Sequence, residues 1–352
     1  MKTNAFVLKS VVGLISILTF LLPASCNDEV EEGVPADEAV ILSYPNYFPE
    51  LTYQSMPLSK NKIALGKKLF YEGKLSGNNT ISCGFCHIQE FAFTHHGHSV
   101  SHGIEDRIGM RNAPALQNLA FLNRFMWDGV IHDLNQQPIS PITAHEEMDS
   151  NFPEIIQKLA DQEEYRDLFL AAYGDSQINA DRILLALGQF MATIISDESK
   201  FDKYLNAELN LTDAEYSGKM IFEQKCSVCH AGTLQTDESF RNTGMYYNPE
   251  LADGGLYRVT LDSADFMKFR VPSLRNVAKS SPYMHDGRFL SLEAVLNFYS
   301  NGVEDNPGLD PLLRNGDTIG IPLTEPEKQD LIQFLNTLTD ENFLNNPEYA
   351  EF

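Results

Sequence analysis

The chain has 352 residues, enough for roughly two or three domains, and sets 26 Lys and Arg against 49 Asp and Glu for a formal net charge of −23. That balance argues against nucleic acid and against an anionic membrane surface as partners. It is compatible with a basic electron donor, although solubility alone would also account for it.

At the N-terminus, Lys2 and Lys9 precede an apolar run from Val11 to Leu22. The run is too short for a stable membrane span and is followed by Pro23-Ala24-Ser25-Cys26. Residues 1–25 therefore read as a bacterial lipoprotein signal, with Cys26 as the lipidated N-terminus. Pro23 departs from that pattern, and ordinary cleavage leaving Cys26 free is the alternative. Loss of Lys2 and Lys9 with the leader would take the net charge from −23 to −25. The expectation is a periplasm-facing body, lipid-anchored to a membrane at one end. Residues 26–50 are acidic and Pro-rich and read as a tether.

An amphipathic stretch opens near Ser59, marked by Ile63, Leu65, Leu69 and Phe70 and stopped by Gly73. It leads into Cys83-Gly84-Phe85-Cys86-His87, and the same C-x-x-C-H pattern recurs as Cys226-Ser227-Val228-Cys229-His230. Two thiols at this spacing can form thioethers to the two vinyl groups of one porphyrin. The next residue, a histidine, then lies under the iron as proximal ligand. One copy would also suit a zinc or redox pair, but two copies use four of the five cysteines. The motifs predict two covalent c-type haems with His87 and His230 as iron ligands.

Residues 74–150 are rich in Gly, Pro, Asn and His and read as functional loop. Residues 154–173 and 178–195 read as two helices. The second carries Ile183, Leu184, Leu187, Phe190, Met191 and Ile194 on one face. The polar stretch 197–211 is the candidate junction. Thr212 and Glu215 form a capping box for a helix running to Cys226. A helix before each haem motif points to a diverged duplication with one haem per half, residues 51–205 and 206–352. After a second loop region, 231–290, Ser291 caps a helix through Tyr299 that Gly302 ends. Thr324 and Glu327, with Pro326 in the first turn, start a last helix through Leu338. Period-two alternation is scarce, so the fold class is mainly α.

Further motifs stand in order along the chain: Arg111-Asn112-Ala113-Pro114, Met126-Trp127-Asp128-Gly129, Glu147-Met148, Val271-Pro272-Ser273-Leu274-Arg275-Asn276, and Pro282-Tyr283-Met284-His285-Asp286-Gly287-Arg288. With the two haem motifs they resemble the bacterial di-haem cytochrome c peroxidase family, which includes the maturase MauG, over roughly residues 58–340. The resemblance implies two cytochrome c-like domains, a peroxidatic haem in the first and an electron-transfer haem in the second. It also implies a calcium ion between them, held by Asn112 and the backbone oxygens of Ser280 and Pro282.

The resemblance also assigns roles to single residues. His102 matches a position whose histidine can cap the first iron and leave on activation, with His95, His96 and His98 as nearby competitors. Glu147 matches the distal general base and acid for peroxide, with Glu146 next to it. Gln137 matches a distal amide that orients peroxide. Trp127, the only tryptophan, matches the residue between the haems that relays electrons, although a core role is the commoner one for Trp. Tyr299 follows His285 by 14 residues, where the peroxidases carry methionine and MauG-like members tyrosine. On the expected helix it shares a face with Leu292, Val295 and Leu296, so it points inward as an axial ligand or as a core tyrosine. Phenolate favours ferric or higher iron, so this residue puts the ordinary cytochrome-fed cycle in question. Met245, Met267 and Met284 are its rivals. Arg270, Arg275 and Arg288 are candidate partners of the haem propionates.

The function these readings imply is reduction of hydrogen peroxide to water with electrons from a small redox protein, a cytochrome c or a cupredoxin. One alternative is a MauG-like enzyme that directs the same oxidising power at a protein or small molecule. The other is a di-haem electron carrier without catalysis. Family members are often homodimers, but the sequence carries no interface signal of its own.

Overall fold

The computed structural model describes residues 37–351. The leader, Cys26 and the first part of the tether lie outside them. The helices in chain order are α1 (Lys60–Phe70), α2 (Cys83–Cys86), α3 (Ile139–Thr143), α4 (Phe152–Ala160), α5 (Glu163–Tyr173), α6 (Ala180–Thr193), α7 (Lys200–Leu205), α8 (Asp213–Lys225), α9 (Tyr257–Thr260), α10 (Leu292–Asn297), α11 (Glu325–Asn336) and α12 (Glu341–Leu344). The described strands are two residues long and form three antiparallel pairs, so the fold is mainly helical. None of the described helices is long and apolar enough to cross a membrane.

The helix ends follow local chemistry. The Ser59 side chain accepts from the N–H of Lys62 and starts α1. Thr212 with Glu215 and Thr324 with Glu327 close capping boxes on α8 and α11. The expected single helix over 154–173 is instead two, α4 and α5, broken at Asp161 and Gln162. Its buried residues explain the break. Leu159 and Tyr165 are both buried, yet six residues apart on one straight helix they would face different sides. The candidate junction also holds more structure than its polarity suggests. It contains α7, whose Asp202 is 1% exposed.

Each half has the same helical crossing, α1 against α6 in the first and α8 against α11 in the second. Both crossings run over a glycine. A β-carbon on Gly66 would lie 1.9 Å from the Ala186 carbonyl oxygen, and one on Gly218 would lie 1.9 Å from that of Asp330. Backbone cannot step aside as a flexible side chain does. Gly218→Ala is therefore expected to push α8 off α11 and to cost about 1–3 kcal/mol, read as a lower denaturant midpoint at constant m-value.

A second repeat lies in the loops. Phe125-Met126-Trp127-Asp128-Gly129-Val130-Ile131 and Tyr283-Met284-His285-Asp286-Gly287-Arg288-Phe289 each close through an antiparallel bridge between first and last residues. In both, the methionine and glycine have positive φ: 67° and 64° in the first, 72° and 64° in the second. Trp127 and His285 thus occupy equivalent places in the two halves.

The apolar core of the first half gathers α1, α4, α5 and α6, and it is finished from the far end of the chain. Phe343, Leu344 and Tyr349 pack into it. Gln89 Nε2 donates to the Phe343 and Asn346 carbonyls at 3.1 and 2.8 Å, and the Tyr71 hydroxyl donates to the Tyr349 carbonyl at 2.7 Å. The second half has two smaller clusters, one around Phe222, Leu331 and Phe334 and one around Met245, Met267 and Phe298.

Candidate functional site

Both C-x-x-C-H motifs fold into the same local device. In the first, α2 is a single turn, and the His87 N–H donates to the Cys83 carbonyl at 2.9 Å. His87 Nδ1 sits 2.7 Å from the Phe93 carbonyl oxygen. A carbonyl can only accept, so Nδ1 carries the proton and Nε2 is left with its lone pair for a metal. Burial lowers the His87 pKa to about 4, which keeps the ring neutral and able to ligate. In the second motif, His230 Nδ1 sits 3.1 Å from the Gln235 carbonyl oxygen, and burial again lowers its pKa. None of the four motif cysteines is in a disulfide. Burial pushes Cys83, Cys86 and Cys226 up to about 12.

The second motif opens onto a cavity of about 260 Å³ lined by Cys226, Cys229 and His230 on one side and by Leu292, Val295, Leu296 and Tyr299 on another. The inward face expected for that helix is therefore present. Tyr299 itself stands on a wider turn, since α10 ends at Asn297 and Phe298–Gly302 forms one π-helical turn. Such turns are rare and gather at functional sites. Burial raises the Tyr299 hydroxyl pKa above its ordinary range, so without a metal the phenol is neutral. Met245, Met267 and Met284 line the same cavity. Two thiols, a neutral imidazole and apolar walls suit a covalent haem.

Around the first motif the structure gathers Cys86, Ser101, His102 and Glu147. Cys86 Sγ donates to the His102 carbonyl at 3.6 Å. The His102 ring lies 4.4 Å from His98 and 6.0 Å from His95, and His95 stacks on His98 at 4.3 Å. His96 stands apart, stacked on Phe91. Among the described residues no group of His, Cys, Asp and Glu is arranged to hold a metal ion by itself. Glu147 is half-buried, and its Oε1 accepts from the Ser101 hydroxyl at 2.8 Å. Burial raises its pKa, an effect partly offset by Ser101. Glu146 is exposed to solvent, which favours Glu147 over its neighbour.

A short chain of hydrogen bonds runs along the wall of the cavity at the second motif. Trp127 Nε1 donates to the Asn112 carbonyl at 2.9 Å, and the Asn112 N–H donates to the His285 carbonyl at 2.7 Å. Gln137 is buried and donates to Met126 Sδ at 3.5 Å, beside Trp127 in sequence. Asn112, Ser280 and Pro282 line one wall of the cavity. Asn112 Nδ2 donates to the Pro282 carbonyl at 2.6 Å, while Asn112 Oδ1 is buried without a hydrogen-bond partner. A hard cation takes an oxygen such as Asn112 Oδ1, so that atom suits the expected calcium contact, while the Pro282 carbonyl already accepts from Asn112.

Two residues escaped the sequence reading. Ser101, next to His102 in sequence, meets Glu147 only in the fold. His285 is buried and stacks on Phe269 at 3.7 Å, and its equivalence to Trp127 was legible in the repeated Met-x-Asp-Gly. Two of the three candidate propionate partners are engaged elsewhere: Arg275 binds Asp202 through both nitrogens at 2.8 Å, and Arg288 binds Asp286.

Residues 60–210 match a family model described as di-haem cytochrome c peroxidase. The methylamine utilization protein MauG of Methylorubrum extorquens is 32% identical over 295 residues, covering 81% of this chain and 80% of that protein. The cytochrome-c peroxidase IdrP1 of a Pseudomonas species is 31% identical over 318 residues, covering 80% of this chain and 82% of that one. Among solved structures, a MauG-like protein associated with microbial copper homeostasis superposes with a TM-score of 0.80 at 33% identity, over 89% of this chain and 99% of that one.

Proposed function

Since the chain belongs to the di-haem cytochrome c peroxidase family that includes MauG, we propose that it is a periplasm-facing, lipid-anchored oxidoreductase that reduces hydrogen peroxide to water. Its electrons would come from a small redox protein, a cytochrome c or a cupredoxin. The observation that carries this reading is the half-buried Glu147 carboxyl, fixed by Ser101 beside the first pair of thiols.

Cys83, Cys86 and His87 would hold one haem in a domain of residues 51–205, and Cys226, Cys229 and His230 the other in residues 206–352. When bound, the haems supply the redox chemistry. Glu147 takes a proton from one peroxide oxygen and returns it to the other. Its raised pKa brings its affinity for that proton closer to the working pH. Ser101 engages Oε1, which leaves the other carboxylate oxygen to carry the proton. The Gln137 amide would orient peroxide, and His102 is the residue that would ligate the first haem at rest. Trp127 relays electrons, with its indole nitrogen tied to the Asn112 carbonyl. Asn112, Ser280 and Pro282 would hold calcium.

The test is turnover. Protein carrying two haems per chain should oxidise a reduced cytochrome c only when peroxide is added. If no redox state yields a peroxide-reactive haem, the chain is an electron carrier instead.

Tyr299 favours a second reading, a MauG-like oxidation of a protein or small molecule. It lines the cavity with His230 and both thiols of the second motif. If it ligates the second iron, Tyr299→Met should raise that haem's midpoint potential, because thioether ligation favours ferrous iron. Cytochrome-fed turnover should then improve. An unchanged midpoint and spectrum would return Tyr299 to the core and leave the three methionines as candidates.

A further inference from the structure

Arg270 is a buried cation with no carboxylate against it among the described residues. It is 8% exposed, and it lines the cavity shared by Cys226, Cys229 and His230. Its backbone is fixed twice: Phe269–Arg270 pairs with Phe240–Arg241, and the Arg270 N–H donates to the Trp127 carbonyl at 2.8 Å. The side chain is held at Nε, which donates to the Met126 carbonyl at 3.2 Å. Nη1 is buried without a hydrogen-bond partner.

The other cations on the cavity wall are satisfied. Lys225 pairs with Glu327 at 2.7 Å, and Arg241 pairs with Asp237 and Asp310 at 3.0 Å. Glu238 is the acid whose field reaches Arg270, but its carboxylate accepts from the backbone N–H groups of Asn123 and Arg124. A guanidinium is too costly to bury uncompensated. Its planar fork matches a carboxylate. Arg270 lines the cavity, so an anion belongs there against its guanidinium.

We infer that Arg270 anchors a propionate carboxylate of the haem attached at Cys226 and Cys229 and that its charge sets that haem's reduction potential. The inference rests on the reading that the second motif holds a haem. Of Arg270, Arg275 and Arg288, Arg270 is the one left for this role. A fixed positive charge near the iron disfavours the ferric state. Removing it should shift the midpoint to more negative values. It should also free the propionate to titrate.

The experiment uses the holoprotein, with haem counted by pyridine haemochrome and the second haem's midpoint followed by spectroelectrochemistry as pH is varied. A wild-type chain with one haem would defeat the functional reading itself, before Arg270 is tested. With two haems present, Arg270→Gln should shift the second midpoint negative and make it depend on pH, while Arg270→Lys restores most of both. An unchanged midpoint and pH profile in Arg270→Gln would overturn the assignment. So would a wild-type midpoint that follows added chloride or phosphate, since a free anion would then occupy the site. If Arg270→Gln loses the second haem, recovery in Arg270→Lys supports the charge role, and equal loss in both refutes it.

Discussion

Glu147→Gln, in protein that retains both haems, is expected to lower kcat/KM for peroxide by about 10²–10⁴-fold, the usual worth of a positioned acid–base group. Glutamine keeps the shape and the contact with Ser101 but cannot take the proton. The pH dependence gives an independent sign. Burial raises the Glu147 pKa, and the base form is the ionised one. Wild-type activity should therefore fall, as pH drops, with a midpoint above the ordinary carboxylate range. That acidic limb should vanish in Glu147→Gln. In Ser101→Ala it should move to still higher pH, because the lost hydrogen bond favoured the carboxylate. Full turnover by the glutamine variant with two haems in place would defeat the mechanism.

The largest expected effect on stability lies away from the haem motifs. Asp202 and Arg275 are fully buried and joined by two hydrogen bonds of 2.8 Å. Arg275 also donates to the Thr233 and Ser196 carbonyls and lies over the Phe48 ring. Removing one partner strands the other charge in the interior. Asp202→Ala should cost about 3–5 kcal/mol, measured by denaturant unfolding at neutral pH. Replacing both residues with apolar ones should recover much of that loss. Burial works to raise the Asp202 pKa, but Arg275 and the Ser199 hydroxyl and N–H bring it below the ordinary value. A depressed carboxylate stabilises the fold fully above its unfolded pKa. That stability is lost as pH falls through the folded one, so the gap between wild type and Asp202→Ala should close in acid.

What could be read from the sequence was local. Capping boxes at Thr212 and Thr324 and the α6 face are set by neighbours a few residues away, and each lies where its pattern predicts. The spacing of Leu292, Val295, Leu296 and Tyr299 also sufficed to place all four on the cavity. Long-range pairing could not be read. Asp202 belongs to a stretch as polar as any linker, and the opposite charge that its buried carboxylate needs comes from Arg275, 73 residues away. The same holds for Arg270, which looks like Arg275 in the sequence. Only the distribution of carboxylates in space separates them. The helix expected over 154–173 failed for a nearer reason, because the six-residue step from Leu159 to Tyr165 contradicts a single straight face.

The packing of Phe343, Leu344 and Tyr349 onto the first core has a consequence for biosynthesis. A ribosome makes residues 60–193 long before residues 341–349 exist. The portion translated earliest is thus the last to be sealed, and it must wait for the final stretch of polypeptide to arrive. A nascent chain stalled short of Asp340 would leave Phe93 and the neighbours of Gln89 uncovered. The first core is therefore complete only once the whole of the second half has been made.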